Sequence, residues 1–181
     1  MATAAPETIV WTIDPSHSVI QFKVRHLMVS NVTGKFNSFD GKVETFGDNF
    51  ENASVSFSAN IDSITTGNDQ RDGHLKSADF FDAENHPQLT FVSTSVTKTG
   101  DDTYDISGDL TIRGTTKPII LKAEHGGQMG DFYGNTKAGF EITGTIKRKE
   151  YGLSWDAVTE AGGVVVSDDV KLILDVQVSH Q

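Results

Sequence analysis

The side chains best suited to acid–base or ligand-binding chemistry are concentrated between residues 63 and 82, in the stretch SITTGNDQRDGHLKSADFFD. It contains Arg71, Asp72 and His74, which offer an anion-binding group, an acid and a base. Residues three apart lie on one face of a helix, so a helix here would bring Arg71 and His74 together. The same residues also fit a polar cap whose charges are paired with one another. Both interpretations stay open from the residues alone.

Other motifs for catalysis or cofactor binding are absent from the sequence. The six histidines are scattered without a metal-binding spacing, and there is no cysteine to act as a nucleophile or thiolate ligand. No G-x-S-x-G elbow, G-x-G-x-x-G loop or Walker sequence occurs. We therefore expect no catalytic residue, no metal ion and no cofactor, and we expect that the protein is not an enzyme.

Charge and hydropathy narrow the classes of partner. The 181-residue chain has a formal net charge of −10 and contains no cluster of Lys and Arg, which argues against nucleic acid as a partner. No apolar run reaches the length of a membrane span, so no integral membrane segment is expected. The N-terminus lacks the basic and apolar regions of a signal peptide, which favours a cytoplasmic location. The alternative is a periplasmic protein whose signal peptide has been removed.

Strict alternation of apolar and polar residues predicts strands along nearly the whole chain. Between residues 52 and 62, Ala53, Val55, Phe57, Ala59 and Ile61 alternate with polar residues, as in a half-buried strand. Short turns separate this run from similar runs on both sides, so the pattern predicts an all-β antiparallel meander that closes into a barrel. Helical pattern is confined to residues 68–78 and a short turn at 147–151. We expect residues 7–181 to form a single domain after a disordered tail at 1–6.

The interior of such a barrel can be filled by side chains or can enclose a ligand. Small residues at inward positions, among them Ala53, Ala59, Gly108 and Gly144, are consistent with open space. They are equally consistent with the taper of a solid core. Aromatic residues near predicted loops, such as Phe80 and Phe81, fit the mouth of an apolar cavity with a polar rim.

Several motifs resemble those of the YceI-like family of lipid-binding, lipocalin-like proteins. The resemblance covers nearly the whole chain in the family's order, and the insertion at 63–82 is its strongest element. Tyr151 stands where Phe is commoner in that family. The other matching motifs are DPSHS at 14–18, F-x-V-R-H-L at 22–27, GKF at 34–36, GDLTIRGTTKP at 108–118 and RKEYGL at 148–153.

The resemblance implies an eight-stranded antiparallel up-and-down barrel with a short helical insertion around residues 67–80. It also implies an apolar interior that holds a long-chain amphiphile such as a polyisoprenoid, an isoprenoid quinone or a fatty-acid-like lipid. The family has no general catalytic triad or obligatory metal. Many members are periplasmic, and this chain is more similar to the cytoplasmic branch. A homodimer that extends the cavity is kept as an alternative to a monomer.

These expectations define candidate ligand-binding residues. Arg71, His74 and His26 are candidates for holding a polar head group near the rim, and Phe81 for the aromatic mouth. The function expected is carrying or sequestering a lipid without catalysis. The alternatives are an interaction or stress-response module with a filled barrel and, third, an isomerase or cyclase that uses His74 and Asp72. The candidate cavity lining consists of Phe22, Val24, Phe57, Ile61, Phe91, Leu110, Ile112, Phe140 and Ile142.

Overall fold

The computed structural model describes residues 7–26, 30–47, 49–153 and 166–181. Residues 1–6, for which the sequence predicts a disordered tail, lie outside the described residues. One α-helix is present in the described ranges, α1 at Asp69–Lys76. The same ranges contain eleven strands: β1 Thr8–Ile13, β2 Val19–His26, β3 Ser30–Phe36, β4 Phe39–Phe46, β5 Asn49–Asn60, β6 Ile64–Thr65, β7 Gln88–Lys98, β8 Thr103–Ile112, β9 Thr115–Gly130, β10 Thr136–Lys147 and β11 Val166–His180.

All these strands belong to one antiparallel sheet that closes on itself. β1 and β2 both pair with β11, through its last and its earlier residues respectively, so they follow one another along the same neighbour. In the same way β4 pairs with β1 and β3 with β2, and β5 and β6 then pair with β4 and β3. β7 to β10 complete the circle in chain order. The described strands thus form an eight-stranded up-and-down barrel, which confirms the predicted fold class.

The DPSHS motif at 14–18 forms the bend between β1 and β2. A 3-10 helix at Pro15–His17 interrupts the strand, and Asp14 caps it by accepting a hydrogen bond from the Ser16 backbone N–H at 3.0 Å. The Ser16 hydroxyl and the His17 ring Nδ1 also donate to this carboxylate, at 2.7 and 2.8 Å. Hydrogen bonds from the side chains of Ser16 and His17 lower the pKa of Asp14 to about 2. The carboxylate therefore stabilises the bend.

The alternation predicted for residues 52–62 is present in β5, with a boundary that differs. Ala53 and Ala59 are buried, Phe57 lines the cavity, and Ser54 is exposed. The strand ends at Asn60, however, and Ile61 lies in a 3-10 helix over Ile61–Ser63. The prediction of a strand through Asp62 is wrong because the chain turns there into the connection that covers the barrel end. Nearer its start, Asn52 has a φ of 65°, which breaks the alternation.

Residues 66–87, here called the cap, cross one end of the barrel between β6 and β7. The predicted helix is confirmed as α1, and Asn68 caps it by accepting a hydrogen bond from the Arg71 backbone N–H at 3.0 Å. Arg113, in the turn between β8 and β9, donates to the Phe80 carbonyl at 3.0 Å and to the Gly152 carbonyl at 2.9 Å. The cap is therefore fastened to the opposite wall of the barrel.

Candidate functional site

The barrel encloses a cavity of about 170 Å³ with almost wholly apolar walls. A single water molecule needs at least roughly 10–15 Å³ on this scale, so the space holds on the order of ten waters. Ten of the eleven described strands contribute to it, since alternate residues of each strand point inward. The apolar residues lining it are Ile13, Ile20, Phe22, Phe36, Val43, Phe50, Ala53, Val55, Phe57, Leu89, Phe91, Val96, Ile106, Leu110, Ile112, Ile119, Leu121, Ala123, Phe140, Ile142, Ile146, Leu172, Leu174, Val176 and Val178.

Some parts of the cavity wall are closely packed and others border open space. On β7 and β8 the lining residues Phe91 and Leu110 are buried, as in a solid core. On β10 and β11, by contrast, lining residues such as Ile142, Leu172 and Leu174 are only partly buried although they face the interior. Close packing would shield them completely. Their remaining exposure therefore marks unfilled space within the barrel.

Seven of the lipid-lining candidates lie on the cavity wall. They come from β2, β5, β7, β8 and β10, and the barrel brings them together from positions more than a hundred residues apart. These residues are Phe22, Phe57, Phe91, Leu110, Ile112, Phe140 and Ile142.

The remaining apolar candidates lie elsewhere. Val24 is beyond the cavity, near the end of β2. Ile61 is buried in the 3-10 helix after β5, and Phe81 packs edge-on against Phe36 beneath the cap, with ring centroids 6.1 Å apart. None of these three is among the cavity-lining residues of the described chain. Their apolar character serves the packing of the cap and strand ends.

The polar head-group candidates Arg71 and His74 are bound within the cap. Arg71 donates from Nε to the Thr66 hydroxyl at 2.7 Å and from Nη2 to the Thr66 carbonyl at 2.9 Å. His74 Nε2 lies 2.8 Å from an Asp79 carboxylate oxygen. Neither side chain is among the described cavity-lining residues. The side chain of the third candidate, His26, lies outside the described residues.

Asp72 also has a structural partner. Its carboxylate is buried and accepts hydrogen bonds from the Thr66 backbone N–H at 2.8 Å and from the Thr66 hydroxyl at 2.6 Å. The cap therefore has the internally paired arrangement that was one of the two interpretations of its sequence. Asp72 and His74 bond to different residues, Thr66 and Asp79, and form no acid–base pair directed at the cavity.

Two glycines that were consistent with open space are covered by neighbouring side chains. A β-carbon at Gly108 would lie 2.5 Å from the Phe91 ring, and one at Gly144 would lie 2.5 Å from Leu121 Cδ2. For these positions the open-space interpretation is wrong. Side chains on the neighbouring strands cover each glycine, because a glycine has no side chain to keep them away.

Sequence reasoning missed two parts of the site. The wall formed by Leu172, Leu174 and Val176 was recognisable as an alternating strand, but nothing marked it as bordering open space. The barrel end formed by Phe50 and His125 was also missed, because a single histidine in a strand carries no sequence signal for its surroundings.

The fold and the cavity together define the class of β-barrel proteins with an apolar internal cavity. An eight-stranded up-and-down barrel is just wide enough to hold one small ligand in its interior, and here that interior is apolar and partly open. The YceI-like domain family matches residues 11–178, and the chain belongs to this family. No helix in the described part of the chain is long and apolar enough to cross a membrane.

Individual relatives agree with this assignment. A UPF0312 protein of Pectobacterium atrosepticum is 44% identical over 164 residues, covering 89% of this chain and 80% of the relative. BcnA of Burkholderia cenocepacia has the same fold, with a TM-score of 0.79 at 20% identity over 91% of this chain and 98% of BcnA. A polyisoprenoid-binding domain from Saccharophagus degradans superposes with a TM-score of 0.67 at 18% identity, covering 96% and 99% of the two chains.

Proposed function

We propose that the protein binds the hydrocarbon tail of a long-chain amphiphile inside the barrel and carries or sequesters it without chemical change. The tail belongs to a polyisoprenoid, an isoprenoid quinone or a fatty-acid-like lipid. The observation that carries the proposal is the set of inward-facing apolar residues on β10 and β11 that remain partly exposed to an internal cavity. An apolar chain that covers this surface removes it from water, which is favourable in free energy.

The cavity volume limits how much of the tail the barrel holds without adjustment. A methylene group takes about the space of one water molecule, so about ten carbons fit. At about 0.8 kcal/mol per buried methylene, ten carbons contribute about 8 kcal/mol, the free energy of a micromolar Kd before ordering costs. A tail of about 20 carbons therefore requires the half-buried rings of Phe22, Phe57 or Phe140 to change rotamer, or leaves part of the chain outside.

A structural neighbour supports the same ligand class. The Saccharophagus degradans domain is described as polyisoprenoid-binding, and it shares the barrel fold. The contacts of Asp72 and His74 argue against these two residues as the acid and base of an isomerase or cyclase, because both are engaged within the cap rather than at the cavity. General acid–base chemistry requires a titratable group within reach of the reacting atoms.

Native mass spectrometry of the freshly purified protein, followed by solvent extraction and lipid identification, tests the proposal. We expect a discrete added mass that extracts as a polyisoprenoid, a quinone or another long-chain lipid. Protein stripped of lipid should then rebind lipids of graded chain length, with affinity rising up to about ten carbons and more slowly beyond. An apo protein that refuses every long-chain lipid offered would contradict the proposal and favour an interaction module with a filled barrel.

A further inference from the structure

Two histidines point into the barrel at the end opposite the cap. His125 follows Leu121 and Ala123 at alternate positions of β9, and both of those residues line the cavity. His180 follows Val176 and Val178 in the same way on β11. Because side chains alternate across a strand, both imidazoles lie on the interior face, one step beyond the cavity.

The aromatic rings around these imidazoles connect them with the cavity wall. His125 stacks on Phe140 with ring centroids 4.8 Å apart and meets Phe50 edge-on at 5.4 Å. His180 meets Trp11 edge-on at 4.3 Å, and Trp11 lies 5.1 Å from Phe50. Phe50 and Phe140 both line the cavity. One layer of rings therefore separates the two histidines from the tail-binding space.

Both histidines carry a buried nitrogen that is unused. The Nε2 atoms of His125 and His180 are buried and have no hydrogen-bond partner among the described residues. Other polar groups at this end are paired: the Trp11 indole N–H donates to the Thr45 hydroxyl at 3.0 Å, and that hydroxyl donates to the Gly47 carbonyl at 2.6 Å. Buried polar atoms in native proteins are normally satisfied, so two unpaired nitrogens at one end of a cavity need an explanation.

The tautomer of His180 indicates which group would satisfy it. Its Nδ1 lies 2.8 Å from the backbone oxygen of Gln181, which can only accept, so Nδ1 carries the proton. When the ring is neutral, Nε2 is then an acceptor and needs a donor. The Trp11 ring that His180 meets edge-on is fully buried and apolar, so the environment favours a partner that carries no charge of its own. A hydroxyl meets both requirements.

We propose that His125 and His180 form the head-group end of the ligand site and bind the hydroxyl of a long-chain alcohol. This inference rests on the proposed tail binding and adds the orientation of the ligand, with its head away from the cap. It places the polar contacts at the end of the barrel opposite Arg71 and His74. Phe140 is half-buried and stacked on His125, so a rotamer change at Phe140 opens the path between cavity and imidazole.

The test compares two ligands with the same tail and the same oxygen, only one of which has an O–H that can donate a hydrogen bond. Lipid-free protein is titrated calorimetrically with geranylgeraniol and with geranylgeranyl methyl ether, which keeps the tail and the oxygen but lacks the O–H. One added hydrogen bond to a buried acceptor predicts that the wild type binds the alcohol about tenfold more tightly. In the double variant His125→Phe/His180→Phe the two affinities should become equal.

The outcomes separate the two proposals. Equal affinities of the wild type for alcohol and ether would leave tail binding intact and overturn the head-group assignment. A preference for the alcohol that survives in the folded double variant would overturn it as well. Binding of neither lipid by the wild type would overturn tail binding itself, and the assignment with it.

A measurement on the unmodified protein covers the case in which the variants do not fold. The ¹⁵N NMR signals of the His125 and His180 imidazoles report hydrogen bonding at Nε2 directly. Geranylgeraniol should shift at least one of the two Nε2 signals, and the methyl ether should not. Unchanged Nε2 signals on saturation with the alcohol would contradict the proposal.

Discussion

Phe22 and Gly34 face one another across β2 and β3, and the Phe22 ring occupies the place that a β-carbon at Gly34 would need. The backbone of Gly34 has no positive φ, so only this contact excludes a side chain there. Phe22 is also a cavity-lining residue. A glycine on one strand thus sets the position of a ring that shapes the lipid site.

Gly34→Ala should therefore push the Phe22 ring out of place. We expect a loss of about 1–3 kcal/mol in the free energy of unfolding, as for other overpacked interiors, together with weaker binding of geranylgeraniol. The double variant Phe22→Leu/Gly34→Ala should recover part of both losses, because the smaller side chain leaves room for the methyl group. Urea denaturation and calorimetric titration measure the two effects.

Gly73→Ala is the matched control for that experiment. Gly73 lies within α1, and nothing lies within 4 Å of a β-carbon built there. Alanine should increase the free energy of unfolding by about 0.5–1 kcal/mol and leave lipid affinity unchanged. Equal effects of the two substitutions would contradict the role assigned to the contact between Phe22 and Gly34.

Leu174→Trp should obstruct the open side of the cavity. Leu174 pairs with Ile142 and Ile20, all three line the cavity, and Leu174 is only partly buried. We expect at least a tenfold loss of affinity for geranylgeraniol in a protein that remains folded. Ile173→Trp, on the opposite face of β11, should bind as the wild type does. An unchanged affinity in the folded Leu174 variant would mean that the tail lies elsewhere.

Arg148→Met should destabilise the junction between β10 and β11. The buried guanidinium donates to the carbonyls of Leu153 at 2.6 Å, Ser167 at 2.9 Å and Val166 at 3.0 Å. Leaving these carbonyls unpaired should cost about 3 kcal/mol, or roughly 6–12 °C in Tm. Arg148→Lys should recover little of this, since an ammonium cannot match the planar fork. Calorimetry showing wild-type stability in both variants would refute the assignment.

Tyr151→Phe should leave the free energy of unfolding nearly unchanged at neutral pH and make the protein more stable than the wild type at alkaline pH. The phenol oxygen is buried and has no hydrogen-bond partner among the described residues. Burial first, and the charge of Glu150 second, raises the pKa of Tyr151 from 10.0 to about 12. Between these two pKa values the folded state keeps a proton that the unfolded chain releases. The free energy of unfolding is therefore unaffected by this group below pH 10 and decreases as the pH rises to 12.

The difference between wild type and Tyr151→Phe should accordingly depend on pH. Near pH 8 the variant should be as stable as the wild type or up to about 1 kcal/mol more stable. Between pH 10 and 12 the wild type should lose up to about 2–3 kcal/mol that the variant retains. Urea titrations at fixed pH values measure this difference, and parallel curves across the window would exclude the effect.

Asp14→Asn should weaken the bend between β1 and β2 and change the response to acid. The Asp14 pKa lies near 2 in the folded state against 3.8 ordinarily, so its contribution is present above pH 4 and lost as the pH falls toward 2. Because the site is partly exposed and Asn also caps helices, we expect only about 0.5–1 kcal/mol at pH 7, from the loss of the charge. The variant should match the wild type at pH 2, which thermal unfolding at the two pH values would show.

Local sequence determined much of the architecture. The alternation through Ala53, Phe57 and Ala59 was sufficient to predict an inward face, because the period of a strand is a property of the local backbone. The start of α1 after Asn68 was predictable for the same reason, since the capping side chain bonds to an N–H only three residues away. The strand end at Asn60 was not predicted, because the connection beneath the cap decides it.

Only the tertiary structure decided which inward residues border open space and which polar residues reach the interior. Leu110 and Leu174 occupy equivalent positions in alternating strands, yet Leu110 is buried and Leu174 remains partly exposed. Arg71 binds within the cap, whereas His125 carries a buried, unpaired nitrogen near the cavity. These distinctions depend on side chains from distant parts of the chain, and a strand's own pattern records which face is inward but not what lies opposite it.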